Sequence, residues 1–156
     1  MQLSLHAEYA LRVLLYAGIH SDRVISTEEI SRAYGISKHH LVRVVQTLAE
    51  HGYLHVTPGR SGGARLLGDP REIRLGEVVR RAEPNLRLAE CFDKQTNACV
   101  LTPACTLKPV LREALESFLE ALNKYTLANL LSGRASKRME KQLVAIAGRP
   151  QSQKFA

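Results

Sequence analysis

Two short helices that carry their own start and stop signals, followed at once by a hairpin, constrain this chain most. Ser26-Thr-Glu-Glu29 is a capping-box sequence, in which the serine oxygen accepts from a first-turn amide while Glu29 reaches back. The helix it opens runs through Ile30 and Ala33 and stops near Tyr34-Gly35. Ser37 is a second N-cap, with Leu41, Val44, Val45 and Leu48 behind it at helical spacing, and Gly52 ends that helix. Two capped helices joined by a short glycine-containing turn form a helix-turn-helix. Tyr53-Leu-His-Val-Thr57 then has the β-branched and aromatic content of a strand. Pro58 to Gly63 is a turn rich in breakers, and Ala64 to Leu67 returns as a second strand. A hairpin directly behind the second helix is a wing, so the N-terminal region reads as a winged helix-turn-helix.

Ahead of this unit, Ala7, Ala10, Leu11, Leu14, Leu15 and Gly18 mark one helix face between Leu3 and His20. Behind it, Asp69-Pro70 begins a connector, and Ile73 to Ala82 reads as a helix closed by Pro84. Leu86 to Thr106 shows no period. Leu107, Leu111, Leu115, Phe118, Leu122, Tyr125 and Leu130 then mark a helix of about six or seven turns. Val110, Ala114, Leu119, Thr126 and Leu127 widen its apolar stripe. A helix so long behind a small domain has too little surface of its own chain to cover that stripe. Pairing with a second copy is the expected solution, and a two-fold homodimer matches palindromic double-stranded DNA. The organisation predicted is a DNA-binding winged helix over 1–67 and a connector helix with a cysteine loop over 68–106. A dimerisation helix over 107–131 follows, then a basic tail over 132–156 with one more short helix around Met139, Leu143 and Ile146. The fold class is mainly α, with a small β-hairpin.

Composition agrees. The 156 residues are 45% apolar and 24% charged, with no Trp and only 5% aromatics, so the core must be Leu, Val, Ile and Ala. No apolar run approaches the roughly 18 residues of a membrane span, and Glu8 and Arg12 interrupt the N-terminal one. A cytoplasmic protein without a membrane partner is expected. Net charge is +7, but residues 1–65 contribute +2, residues 66–131 none and residues 132–156 the remaining +5. An enzyme is not expected: Gly59 to Gly63 lacks the Lys-Ser/Thr end of a P-loop, and no histidine triad can be assembled.

Burying Leu41, Val45 and Leu48 turns Lys38, His39, Val42, Arg43 and Gln46 to the opposite face, with His40 beside them. Lys and Arg can contact phosphates, Arg, Gln and His can reach base edges, and Val42 can touch a thymine methyl. Ser26, Thr27 and Ser37 stand where free helix-start amides offer phosphate sites. Arg60, Ser61 and Arg65 belong to a glycine-rich wing suited to the minor groove. The bland alternative is a set of solvated charges on a winged helix used for protein contacts. His39 and His40 are adjacent and point apart, a poor metal pair.

Only three cysteines occur, Cys91, Cys99 and Cys105, all in the segment without a period. An odd number cannot all pair within the chain. Three thiolates on one irregular segment suit an iron–sulfur cluster or zinc, and unliganded redox-active thiols remain a third reading. The spacing matches neither zinc-ribbon pairs nor ferredoxin runs. The segment offers no fourth cysteine and no histidine. An electron carrier using such a centre has no need of a wing, and a zinc-stabilised winged-helix interaction module is a further alternative.

Several stretches resemble one family. Tyr9-Ala-Leu-Arg-Val-Leu14, Gly59-Arg-Ser-Gly-Gly63, Arg74-Leu-Gly-Glu-Val-Val79 and Leu101-Thr-Pro-Ala-Cys105 resemble the Rrf-type regulators, which are dimeric bacterial repressors. Thr102-Pro-Ala-Cys-Thr-Leu-Lys108 and the run from Ser117 to Leu130 are most similar to the nitric-oxide-sensing repressors of that family. The resemblance covers about residues 1–131. It implies an iron–sulfur cluster, [4Fe–4S] ahead of [2Fe–2S], ligated by Cys91, Cys99 and Cys105, with nitric oxide attacking the cluster and releasing DNA. It also implies that a carboxylate near the partner subunit's N-terminus completes the set, and the matching position is Glu8. The competing role for Glu8 is an ion pair with Arg12 at four-residue spacing. Two departures stand out. Seven residues separate the first two cysteines where five is commoner, and Thr106, Leu107 and Lys108 stand where a related branch that senses iron–sulfur supply places a histidine.

Overall fold

Ser4 opens the first helix, α1 (Leu5–Ile19), by accepting from the Ala7 amide at 3.2 Å. The computed structural model describes residues 2–59 and 62–147, the side chains of residues 146 and 147 excepted. One face of α1, with Ala7, Ala10, Val13, Leu14 and Ala17, is fully buried and forms the floor of the main core. α2 (Thr27–Tyr34) begins with the Ser26 hydroxyl accepting from the Glu29 amide at 3.1 Å and ends on Gly35, whose φ of 65° is the left-handed cap that favours glycine. The capping box is only half formed, because the Glu29 carboxylate accepts from Tyr16 and Arg23 rather than reaching back. α3 (Lys38–Glu50) buries Leu41, Val44, Val45 and Leu48; Ser37 precedes it without a side-chain cap. Burying each of these side chains contributes roughly 1.5–3 kcal/mol relative to exposure.

The wing is β1 (Leu54–Thr57) paired antiparallel with β2 (Gly63–Leu66), His55 opposite Arg65. Ile25 and Ala64 exchange two backbone hydrogen bonds of 2.8 Å, which fastens the wing to the segment before α2. Gly63 permits this approach: a Cβ there would lie 2.4 Å from the Ile25 carbonyl oxygen.

α4 (Leu75–Ala82) lies between α1 and α5 (Leu107–Asn123). The long helix expected over 107–131 is broken. α5 stops at Asn123, and α6 (Leu127–Leu131) starts anew with a capping box between Thr126 and Asn129. The cause is long-range. The Leu127 amide donates to the Ile73 carbonyl at 2.8 Å, the Ala128 amide to Pro70 at 3.1 Å, and the Leu75 amide to Tyr125 at 3.1 Å. The expected uncovered stripe is also partly filled by the chain itself. Leu115 and Leu119 pack with Val79 in a second cluster, and Leu127 enters the main core. What stays exposed is Leu107, Val110, Ala114 and Tyr125. α7 (Gly133–Ala147), much longer than the short helix expected there, folds back on α2 and buries Leu143. Residues 148–156 of the tail lie outside the described residues, as does the side chain of Ile146. Among the described residues no helix is long and apolar enough to cross a membrane.

Candidate nucleic-acid interface and cysteine segment

The amphipathic period of α3 sorts its residues cleanly: with four aliphatic side chains buried, Lys38, His39, His40, Val42, Arg43 and Gln46 are all exposed. An open groove of about 640 Å³ runs between α3, the start of α2 and the wing. Ser26, Thr27, Val42 and Gln46 all line it, opposite Thr57, Pro58 and Gly62. Four residues predicted from separate stretches of sequence are therefore brought to one concavity.

The other expected contacts distribute around it. Arg43 and His40 line a second depression against α1, with His6 and Tyr9. The His40 ring stacks on Tyr9 at a centroid distance of 6.4 Å, while His39 lies tilted 6.2 Å from His40. Lys38 stands 3.4 Å from Glu28 in an exposed pair of the kind that contributes little and yields readily to a phosphate. Arg65 projects outward from β2. Arg60 and Ser61 lie outside the described residues.

Two hydrogen bonds tie α1 to the helix-turn-helix. The Tyr16 hydroxyl donates to Glu29 at 2.7 Å, and His6 Nε2 is 3.1 Å from the Thr47 hydroxyl on α3. Arg23 donates to the same Glu29 carboxylate, and its hydrogen bond, with that from Tyr16, holds the acid down at about 2. Burial and the neighbouring carboxylate push the Tyr16 phenol up to about 12. Glu8, higher on α1, is half-buried and pairs with Arg12, whose guanidinium also lies 5.8 and 5.9 Å from the Tyr9 and Tyr34 ring centres.

Cys91 is buried in a 3-10 turn (Glu90–Phe92), whereas Cys99 and Cys105 are half-buried near a second one (Thr102–Ala104). All three are free thiols. Among the described residues no group of three or more His, Cys, Asp or Glu stands close enough together to hold a metal ion, so the single chain does not gather these thiols with Glu8. The chemistry of the donor set still fits a soft centre: three unpaired thiols within one segment of irregular backbone.

Sequence reasoning missed the residues that shape this segment. Asp93 is buried and accepts from the Gln95 amide at 2.9 Å and the Thr96 hydroxyl at 2.8 Å, and it also pairs with Arg87. The Gln95 amide and the Thr96 hydroxyl, together with Arg87, hold its carboxyl below the usual carboxylate range. Asn97 accepts from the Cys99 amide at 3.2 Å and donates to Thr102 at 2.9 Å. The bonds from the Gln95 amide to Asp93 and from the Cys99 amide to Asn97 are Asx turns, and Asp and Asn at those positions were the available signal. Further back, the Ser4 amide donates to Glu83 at 2.9 Å, joining the start of α1 to the chain that leads into the cysteine segment. Val100, Leu101, Leu107 and Val110 leave an exposed apolar surface around Cys99 and Cys105.

Comparison with known proteins accords with this architecture. The model of the family described as "Rrf2: Iron-dependent Transcriptional regulator" matches residues 3–133. A protein of Geobacillus kaustophilus described as "HTH-type transcriptional regulator NsrR" is 50% identical over 139 residues, covering 88% of this chain and 95% of that protein. The Bacillus subtilis protein of the same description is 42% identical over 135 residues, covering 86% and 92%. Among solved structures, T. potens IscR superposes with a TM-score of 0.66 at 23% identity over 84% of this chain and 86% of that one. CymR, described as the global cysteine regulator of B. subtilis, does so with 0.65 at 23% identity over 88% and 98%. These two likenesses bear on the fold.

Proposed function

Because the chain belongs to the Rrf2 family of transcriptional regulators, we propose that it is a homodimeric repressor that binds palindromic operator DNA and releases it on exposure to nitric oxide. The observation that carries this reading is the groove that unites Ser26, Thr27, Val42 and Gln46 between α3 and the wing. Phosphates meet Lys38, Arg65 and the helix starts; base edges meet Val42, Arg43 and Gln46. Similarity to proteins described as NsrR supports the sensing function, and the exposed apolar surface of Val100, Leu101, Leu107 and Val110 supports pairing of two copies.

Cys91, Cys99 and Cys105 would hold an iron–sulfur cluster, with Glu8 of the partner subunit as the fourth donor. When bound, the cluster supplies iron that reacts with nitric oxide. The chain's own part is mechanical. Glu8 would give up its Arg12 partner for a bond across the dimer, and loss of that bond would let α1 shift as a rigid helix. Tyr16 would carry that shift to Glu29 at the start of α2, and His6 to Thr47 on α3. Half-site spacing is a geometric requirement, so a small rotation of α3 lowers specific affinity.

The test is isolation without oxygen followed by a non-denaturing mass spectrum. A dimer carrying one [4Fe–4S] per subunit is expected. A dimer with [2Fe–2S] would shift the reading to a sensor of iron–sulfur supply, and zinc or bare protein to a structural-metal regulator or interaction module.

A further inference from the structure

The largest local surplus of charge lies beyond residue 131, and nothing above uses it. α7 places Arg134, Lys137, Arg138 and Lys141 at i, i+3, i+4 and i+7, the spacing of a single helix face. All four are exposed, and Glu140 is the only acid in the helix. Among the described residues none of the four has an ion-pair partner, in contrast to Lys38, which is paired with Glu28.

This pattern does not serve the helix. Arg134–Arg138 and Lys137–Lys141 are like-charge pairs at four-residue spacing, which repel. Arg134 sits in the first turn, the positive end of the helix dipole, where a cation is disfavoured. An arrangement that costs the helix stability calls for an external anion. Its position says which one. Leu143 is only 8% exposed and joins the main core, with Met139 half-buried, so α7 is held against α2 as a fixed element. In a helix-turn-helix the first helix of the pair crosses the DNA backbone. The basic face lies on the outer side of a helix packed against that backbone-crossing element, open to an anion.

We propose, building on the reading of the chain as a DNA-binding regulator, that the Arg134–Lys141 face of α7 binds phosphates of double-stranded DNA flanking the operator. α7 thereby lengthens the footprint without adding base specificity. Such contacts strengthen binding uniformly across flanking sequences and steepen its salt dependence.

The test uses the full-length protein and an inverted repeat selected from a random duplex library. Affinity is measured by fluorescence anisotropy over a salt series, on a duplex trimmed to the repeat and on one carrying random flanks. The wild type should bind the flanked duplex more tightly and with a steeper salt slope. Arg134→Gln/Lys137→Gln/Arg138→Gln/Lys141→Gln should lose that advantage, its slope falling by up to about 3.6 per subunit, while binding of the trimmed duplex is retained. A companion Arg134→Lys/Arg138→Lys variant keeps the charge and should behave as wild type, which separates charge from packing. Equal slopes for wild type and the glutamine variant on the flanked duplex would overturn the proposal and leave the recognition reading standing. Failure of the wild type to select any repeat would overturn both.

Discussion

The Tyr16 hydroxyl donates to Glu29 Oε1 at 2.7 Å, tying the last turn of α1 to the first turn of α2. α1 also carries Glu8, and α2 leads into the recognition helix, so this bond lies between the proposed sensing residue and the DNA-reading element. Tyr16→Phe keeps the ring packed against Tyr34 and His20 and removes only the hydroxyl. The expected loss of stability is about 1.5–3 kcal/mol, typical of one hydrogen bond to a charged partner. Chemical denaturation measures it, and an unchanged midpoint would remove the bond from the fold's support.

The same pair sets a pH signature. Glu29 is held at about 2, against an ordinary 4.5, by hydrogen bonds from Arg23 and Tyr16. Its contribution is therefore present above about pH 4.5 and is lost as pH falls from there toward 2. Tyr16 is pushed by burial and then by Glu29 to about 12, so its contribution is present below pH 10 and lost as pH rises toward 12. Stability of wild type and Glu29→Gln, measured from pH 7 down to 3, should converge at the acid end. Parallel curves would contradict the assignment.

Gly76 lies where α4 crosses α5. A Cβ there would come within 2.3 Å of the Leu119 carbonyl oxygen and 2.5 Å of Asn123 Oδ1, the atom that caps the Glu77 amide at 3.0 Å. Helix propensity alone makes Gly76→Ala stabilising by nearly 1 kcal/mol, whereas the crossing makes it destabilising by about 1–3 kcal/mol. A thermal melt decides between the two by sign. A raised melting temperature would show that α4 and α5 are not in this contact.

Asp93→Ala leaves the Arg87 guanidinium, the Gln95 amide and the Thr96 hydroxyl without their shared acceptor. The turn around Cys91 should open more often, since Asp93 caps the 3-10 turn in which Cys91 is buried. Alkylation of Cys91 in the metal-free, reduced protein, followed by peptide mass, should accelerate by about tenfold, which corresponds to roughly 1.4 kcal/mol of lost local stability. An unchanged rate would mean that the segment is held by other contacts.

Arg43→Ala should weaken binding of the selected repeat by about 1–3 kcal/mol if the guanidinium reads a base, with relaxed preference at one position. A phosphate role predicts instead a uniform loss and a salt slope smaller by about one. Wild-type affinity would take Arg43 out of the interface.

The parts of this fold written in local sequence were legible. Ser26, Gly35, Gly52 and the Pro58–Gly63 turn each fix a boundary through their own backbone chemistry, and the structure places α2, α3 and the wing there. The break after Asn123 was not legible. Apolar residues keep helical period straight through Leu122, Tyr125 and Leu130, and the interruption comes from Ile73 and Pro70, some fifty residues earlier. The local hint was the Thr126-x-x-Asn129 capping box, which the period overrode. The cysteine segment shows the opposite limit. Its residue types announce soft-donor chemistry, but Asp93 and Asn97, which set its shape, carry no apolar period and act through side-chain-to-backbone bonds.

The central claim is that the state of the cysteine-held group decides operator affinity through α1. The most direct measurement is the affinity of one oxygen-free preparation for the selected repeat, taken as isolated, after stripping of iron, and after titration with nitric oxide. Tight binding only by the as-isolated dimer, weakened at least tenfold by either treatment and equally weak in Glu8→Ala, is the predicted result. Equal affinity in all three states would contradict the account and leave a DNA-binding protein without this switch.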